Sequence, residues 1–421
     1  MEVKIIKRKP IGNPTRKWRQ ENFILSTFSG IAKDTEKGLS YLKEANFNLV
    51  EMGWVDPKLV DEAILAAEKV GVDLLVQDWR YFGGFQDSIR NEIVDGEIEK
   101  CIAKCQTPRV LGYYVWDEPY MPADLEIAAV QTDIMEKLDE KRMPFSVAIP
   151  SYNGAYQYGN DLFDDYLKRY VDKVNPPVFS LDYYPFHTFK PNDESQLDEC
   201  PLFKDLFLLR KHSLEKEAPM WFYYQGMDNP EYAYISYEKM AMQAYLALLH
   251  GAKALQHYRA INAVIDKNGN KLPAFDDVKK LNGLVAPWGD TLMALTSTGV
   301  FHDDAVLAND PKRANYTEDF AGSALFDGRL PHRISIGELQ DGEGNRYALL
   351  LNRDYLSAKS IRLPLKNAAN VYEINNNDGK QVLIKKDCTE IQLELAPAQC
   401  VFLRLQPAAE KPYLIEYELT K

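Results

Sequence analysis

The segment GYYVWDEP, residues 112–119, sets two carboxylates side by side at the end of an apolar run. Asp117 and Glu118 follow Trp116, and Pro119 stops further strand pairing. Adjacent carboxylates repel each other, and burial disfavours charge on both. One of them is therefore expected to keep its proton near neutral pH, as a general acid must. The plainer alternative is a helix cap at Asp117 and an arginine partner for Glu118. A further acid, Asp182, stands in SLDYYPF with Tyr183 and Tyr184 beside it. It is a candidate second carboxylate or a hydrogen-bonding rim acid.

Such groups need a scaffold that brings strand ends together. From about residue 22 to 297 the chain alternates short apolar runs with amphipathic helical stretches. The apolar runs are 23–29, 47–54, 72–79, 111–118, 144–150, 177–184, 219–226 and 252–259. Helices are expected over 34–45, 58–69, 88–105, 122–141, 161–174, 203–216, 236–250 and 276–296, with Asp34 as an N-cap and Gly71 as a stop. Eight strand–helix units in one run predict an α/β fold, a (β/α)₈ TIM barrel. No GxGxxG or Walker A motif accompanies an early strand, which argues against an open nucleotide-binding sheet.

Barrel chemistry sits at the C-terminal ends of the strands. Those ends supply Ser29, Glu51, Trp54, Asp78, Trp79, Trp116, Asp117, Glu118, Tyr152, Asn153, Asp182, Tyr183, Tyr184, Gln225, His257, Tyr258 and Arg259. The set is acidic and aromatic. Sugars offer apolar C–H faces to rings and hydroxyls to carboxylates and amides, and glycosidic hydrolysis calls for paired carboxyl groups. A cation at His257 or Arg259 would either bind a carboxylate-bearing sugar or hold a catalytic acid ionised. Burial is the alternative for His257.

Composition narrows the classes. The chain has 421 residues, 50 Lys and Arg, 62 Asp and Glu, and a net charge of −12, so no basic nucleic-acid face is expected. It contains 25 Tyr, 18 Phe and 6 Trp, a surplus that suits wet, aromatic-lined clefts or simply a large barrel. Five cysteines at 101, 105, 200, 388 and 400 form no disulfide framework; Cys101 and Cys105 read as packing residues on one helix face. HExxH is absent, and the Asp266–Asn270 stretch reads as a turn rather than a calcium loop, so no metal or cofactor is expected. No run is apolar enough to span a membrane. The N-terminal residues lack a signal core, which leaves a cytoplasmic protein or a periplasmic or secreted one whose signal has been removed.

After about residue 298 the pattern changes. RISIGELQ, RYALLLNR, SIRLPL, NVYEIN, VLIKK, TEIQLEL and CVFLRL are short β runs with turns between them. They predict a C-terminal antiparallel β-sandwich. The expected organisation is a barrel over 1–300, a connector and sandwich over 301–408, and a tail over 409–421.

The Glu118-Pro119 strand end resembles the retaining barrel glycosidases, including the β-galactosidase-like families. AMQAYLALLHGAKALQHYR, residues 241–259, is similar to their seventh helix and eighth strand. The resemblance implies a glycoside hydrolase with Glu118 as acid/base. Two positions depart from it. Asp117 stands where those families have Asn, and the seventh strand ends in Gln225 where they have a nucleophilic Glu. Three accounts stay open. The Asp-Glu-Pro end also looks like substrate-assisted hexosaminidases, in which the Asp orients the substrate acetamide. A nucleophile or base could come from another strand, from Asp182, Asp78 or Glu51. Or the barrel binds glycan without cleaving it. A carbohydrate is the expected partner in each case, with the oligomeric state left open.

Overall fold

The computed structural model describes all residues except 54–58, 79–82, 85–96, 152–162, 188–200, 228–234, 304–317 and 421. Trp54, Trp79, Tyr152 and Asn153 lie outside the described residues.

The chain opens with strand β1 (Glu2–Arg8) and then enters the barrel. The barrel strands are β2 (Ile24–Thr27), β3 (Leu49–Glu51), β4 (Asp73–Val76), β6 (Val110–Asp117), β7 (Met143–Ala148), β8 (Phe179–Tyr183), β9 (Met220–Gln225) and β10 (Ala254–Tyr258). A two-residue strand, β5 (Gly83–Gly84), pairs beside the end of β6. All the barrel pairings are parallel, and a β4–β6 pairing closes the ring that also joins β10 to β2. Between strands run α1 (Thr35–Glu44), α2 (Leu59–Val70), α3 (Glu97–Lys104), α4 (Pro122–Leu138), α5 (Phe163–Lys173), α6 (Leu202–Glu215), α7 (Tyr237–Leu249) and α8 (Phe275–Val285). The expected last helix is divided. Pro287 lies in a 3₁₀ turn, after which α9 (Gly289–Ala294) completes the segment.

Local chemistry explains the element ends. Asp34 caps α1 by accepting the Lys37 N–H at 3.2 Å. Gly71 follows α2 at φ +76°, where an L side chain would be strained. Asp266 accepts the N–H groups of Asn268 and Asn270, each at 2.8 Å, so that stretch is the expected turn.

Period-two alternation sorts each strand. Leu25, Val50, Leu74, Val115, Leu181, Phe222 and Leu255 face the helices in one core. Ile24, Leu49, Leu75, Phe145, Trp221 and Tyr223 fill the barrel interior in another. Strand β6 breaks this alternation. Tyr114 pairs with Phe145 and Trp116 with Ser146, so Val115 is an extra residue, a bulge. Val115 and Trp116 therefore both face the helix layer, and Asp117 comes round to the side of Tyr114.

The second unit begins at Thr296, slightly inside the expected barrel boundary. Strands β11 (Thr296–His302), β12 (Ile334–Gln340), β13 (Arg346–Asn352), β14 (Lys359–Ile374), β15 (Gln381–Leu395) and β16 (Cys400–Pro407) form an antiparallel assembly in the order β11-β12-β13-β16-β14-β15. This is the C-terminal β-sandwich, with its own core around Phe326, Leu350, Leu363 and Leu403. Two pairs of expected short strands are each one long strand, because the supposed turns between them are register shifts within the β14–β15 ladder. The sandwich packs on the barrel, where the Trp288 indole N–H donates to the Ile374 carbonyl at 3.0 Å.

The expected tail is not a tail. Strand β17 (Tyr413–Leu419) pairs in parallel with β1 along its whole length. Tyr417 donates to Asp341 at 2.7 Å and Tyr413 to Asn345 at 2.9 Å, which ties the strand to the β12–β13 turn. The Pro-flanked segment before it had concealed the strand signal. Among the described residues no helix is long and apolar enough to cross a membrane.

Candidate active site

The interior of the barrel carries a polar layer beneath its C-terminal mouth. Glu51 is fully buried at the end of β3. It accepts from Ser26 Oγ at 2.7 Å, from Gln256 Nε2 at 2.9 Å and from the Tyr223 hydroxyl. Gln256 in turn accepts from Ser180 at 2.7 Å. Five strands thus meet in one buried network, every member of which needs its neighbours to avoid an unpaired polar group. Burial pushes the Glu51 carboxyl up to about 7, against the three donors, which favour the ionised form.

Above this layer opens a cavity of about 340 Å³. It is lined by Asp117 and Glu118 from β6, Asp182 and Tyr184 from β8, Tyr114, Tyr223, Val147, Phe28, Ser29, Tyr258 and Arg259. Asp117 accepts a 3.0 Å hydrogen bond from the Tyr114 hydroxyl, and Tyr114 is itself within hydrogen-bonding reach of Tyr223. A chain of polar contacts therefore leads from Glu51 to the cavity wall. Burial raises Asp117 to about 6, with the Tyr114 hydroxyl opposing the shift.

Glu118 sits at φ +51°, a left-handed conformation uncommon for a side chain of its size, with its N–H held by the Val147 carbonyl at 3.1 Å. This turn brings its carboxyl to the cavity beside Asp117, although the two are consecutive residues. Glu118 and Asp182 lie within hydrogen-bonding reach of each other. Burial first, then the charges of Asp182 and Asp117, hold the Glu118 carboxyl well above its usual range. Burial likewise raises Asp182 to about 7. Two carboxyls in such contact titrate as a pair, and burial with mutual repulsion favours one proton between them near neutral pH.

The wall opposite in character is aromatic. Tyr258 stacks on Phe28 with centroids 5.9 Å apart and meets Tyr184 at 4.7 Å. Arg259 extends from the end of β10, and its Nε donates to the Ile261 carbonyl at 3.1 Å.

Several expected site residues face elsewhere. The β6 bulge turns Trp116 into the helix-facing core, so it offers no surface to a ligand in this cavity. Tyr183 alternates outward between Asp182 and Tyr184 and joins the same core. His257 also points outward. It packs against Tyr224 and Phe47, and burial lowers its imidazole to about 3, so it supplies no cation. Gln225 is a brace. Its Oε1 accepts the Phe186 N–H at 2.8 Å and its Nε2 donates to the Met227 carbonyl at 3.1 Å, which fixes the turn after β8. Asp78 is buried and does not line the cavity. Glu51 lies one layer below and does not line the cavity, which its partner Tyr223 does.

The sequence reading missed Tyr114, Tyr223, Phe28, Ser26 and Gln256. Strict alternation counted back from Asp182 and Tyr258 would have found the last four, since each has the same parity as a cavity residue on its own or a neighbouring strand. Tyr114 depends on the bulge and has no such signal.

No family model matches this chain, and no curated protein matches it. Solved structures do share its fold. A candidate alpha-galactosidase/melibiase from Bacteroides fragilis NCTC 9343 aligns over 91% of this chain and 79% of its own, at 10% identity and a TM-score of 0.50. A second candidate alpha-galactosidase from the same organism aligns with the same coverage, identity and score. The family 51 arabinofuranosidase of Xanthomonas axonopodis pv. citri covers 96% of this chain and 99% of its own, at 11% identity and a TM-score of 0.48.

Proposed function

We propose that this barrel is a glycoside hydrolase with Glu118 as its general acid. The observation that carries the reading is the meeting of Glu118, Asp182 and Asp117 at one cavity, where burial raises all three carboxyls and repulsion raises Glu118 and Asp182 further. A glycosidic oxygen needs a proton as its bond to the anomeric carbon breaks, and a carboxylic acid still protonated near neutral pH can give it. Asp182 keeps that proton on Glu118 by repulsion and by accepting its hydrogen bond. Asp117, held by Tyr114, is the carboxylate left to face positive charge growing on the sugar or to orient a neighbouring substrate group. Tyr258 and Tyr184 offer ring surface to the sugar's apolar face.

A barrel fold hosts many chemistries, so likeness to galactosidase-named barrels supports this reading only as far as the scaffold. Gln225 at the seventh strand end, engaged with Phe186 and Met227, supplies no carboxylate there, and this favours the alternative of a barrel that binds glycan without cleaving it.

The test is a product screen on natural oligosaccharides, N-acetylated sugars included, with Glu118→Gln beside the wild type. Cleavage by the wild type, reduced about 10²- to 10⁴-fold in the variant, supports the assignment. Equal cleavage by both proteins rejects Glu118. Binding by both with cleavage by neither leaves a glycan-binding barrel.

A further inference from the structure

Arg259 lines the same cavity as the three carboxyls yet does not serve them. It enters no ion pair with a carboxylate among the described residues. Its Nε is taken by the Ile261 carbonyl, and the guanidinium also contacts the Tyr258 hydroxyl. A guanidinium carries five N–H donors, so most find no partner among the described residues. Were it the counter-ion of Asp117, Glu118 or Asp182, it would pull that group's pKa down. All three are raised. The cavity is thus divided, with a proton-sharing acid cluster on one part and an uncommitted cation on another.

The cation is also held in place. Tyr258, whose hydroxyl it meets, is stacked on Phe28 and against Tyr184. The carbonyl at Nε fixes one edge of the guanidinium plane. A positioned planar fork of donors matches a carboxylate in two parallel hydrogen bonds, and a neutral hydroxyl makes poorer use of it.

We infer that Arg259 is a specificity residue for a sugar bearing a carboxylate, so that the substrate is a uronic-acid glycoside. This rests on the glycosidase reading above and narrows it. The carboxylate docks on Arg259 while the glycosidic oxygen lies at Glu118, and the ring between them rests on Tyr258.

Two measurements separate this inference from the broader one. The first is cleavage of glucuronide and galacturonide oligosaccharides against the matching glucosides and galactosides, by wild type, Arg259→Gln and Arg259→Lys. A preference for uronides is expected. Arg259→Gln should lower their kcat/KM about 10- to 100-fold, mostly through KM, and Arg259→Lys should recover part of the loss. The second is binding of sodium glucuronate and galacturonate, with glucose and galactose as controls, to Glu118→Gln with and without Arg259→Gln. Uronate binding that disappears with Arg259→Gln supports the inference even if nothing is cleaved. Cleavage of neutral glycosides with no gain for uronides overturns it and leaves the glycosidase standing. Neither cleavage nor binding of uronates, or binding indifferent to Arg259, also overturns it.

Discussion

The Tyr114 hydroxyl donates a 3.0 Å hydrogen bond to Asp117, three residues further along the same strand. It is the contact that opposes burial and favours the ionised carboxylate. Tyr114→Phe removes the donor and keeps the ring. The Asp117 pKa should then rise from about 6, by about one unit for a hydrogen bond to a charged group. The acid limb of the kcat/KM profile would move to higher pH by that amount. A profile that falls in height without moving would mean that Asp117 does not titrate in catalysis.

Asp182 acts on Glu118 in the opposite sense. Its charge and its hydrogen bond both raise the Glu118 pKa, so Asp182→Asn should let Glu118 lose its proton at lower pH. The alkaline limb should shift downward, and activity should suffer more at pH 8 than at pH 5.5. An unmoved limb would show that the two carboxyls do not share a proton.

Gly226 has no room for a side chain. A Cβ there would lie 1.8 Å from Nε2 of His257. The imidazole is confined between Tyr224 and Phe47, so it cannot move aside freely. Gly226→Ala should cost about 1–3 kcal/mol in thermal or urea unfolding, the usual penalty for overpacking. Adding His257→Ala should return part of that loss, since the two changes share one space. A Gly226→Ala protein as stable as wild type would contradict this packing.

Asp205 lies outside the site and is raised by burial to about 7, while its carboxyl accepts the Ser151 N–H at 2.9 Å. Its pKa in the unfolded chain is about 4. A carboxyl raised on folding contributes stability that is complete below the unfolded value and is lost as pH rises through the folded one. Glu51 shares that direction. The thermal midpoint should therefore decline between about pH 4 and 7. Asp205→Asn retains an acceptor for Ser151 and cannot ionise, so its decline should be shallower. Equal slopes for the two proteins would place the pH dependence elsewhere.

The scaffold was legible because eight apolar runs are spaced by eight amphipathic ones, and only closure of a parallel sheet buries both. Glu118 and Asp182 were legible because each is an acid at the end of an apolar run, the height at which a barrel opens. Tyr183 and His257 stand at the right height but, counted in twos, on the side of the strand that faces the helices. Trp116 faces that side because of the β6 bulge, which no count in twos reveals. Height comes from where an apolar run stops, whereas side comes from the alternation and its interruptions. The polar layer of Glu51, Ser26, Gln256 and Tyr223 was hidden differently. Its members lie in different strands and become a network only when the barrel brings them together.

The extra residue in β6 makes one short strand serve two surfaces. In strict alternation from Tyr114, with Val115 paired in its turn, Trp116 would face inward and Asp117 would lie among the helices. The bulge instead sets two successive apolar side chains, Val115 and Trp116, against the helix layer and returns Asp117 to the side of Tyr114. The acid pair at the mouth therefore hangs on an interruption of the ladder and not on the residue types alone.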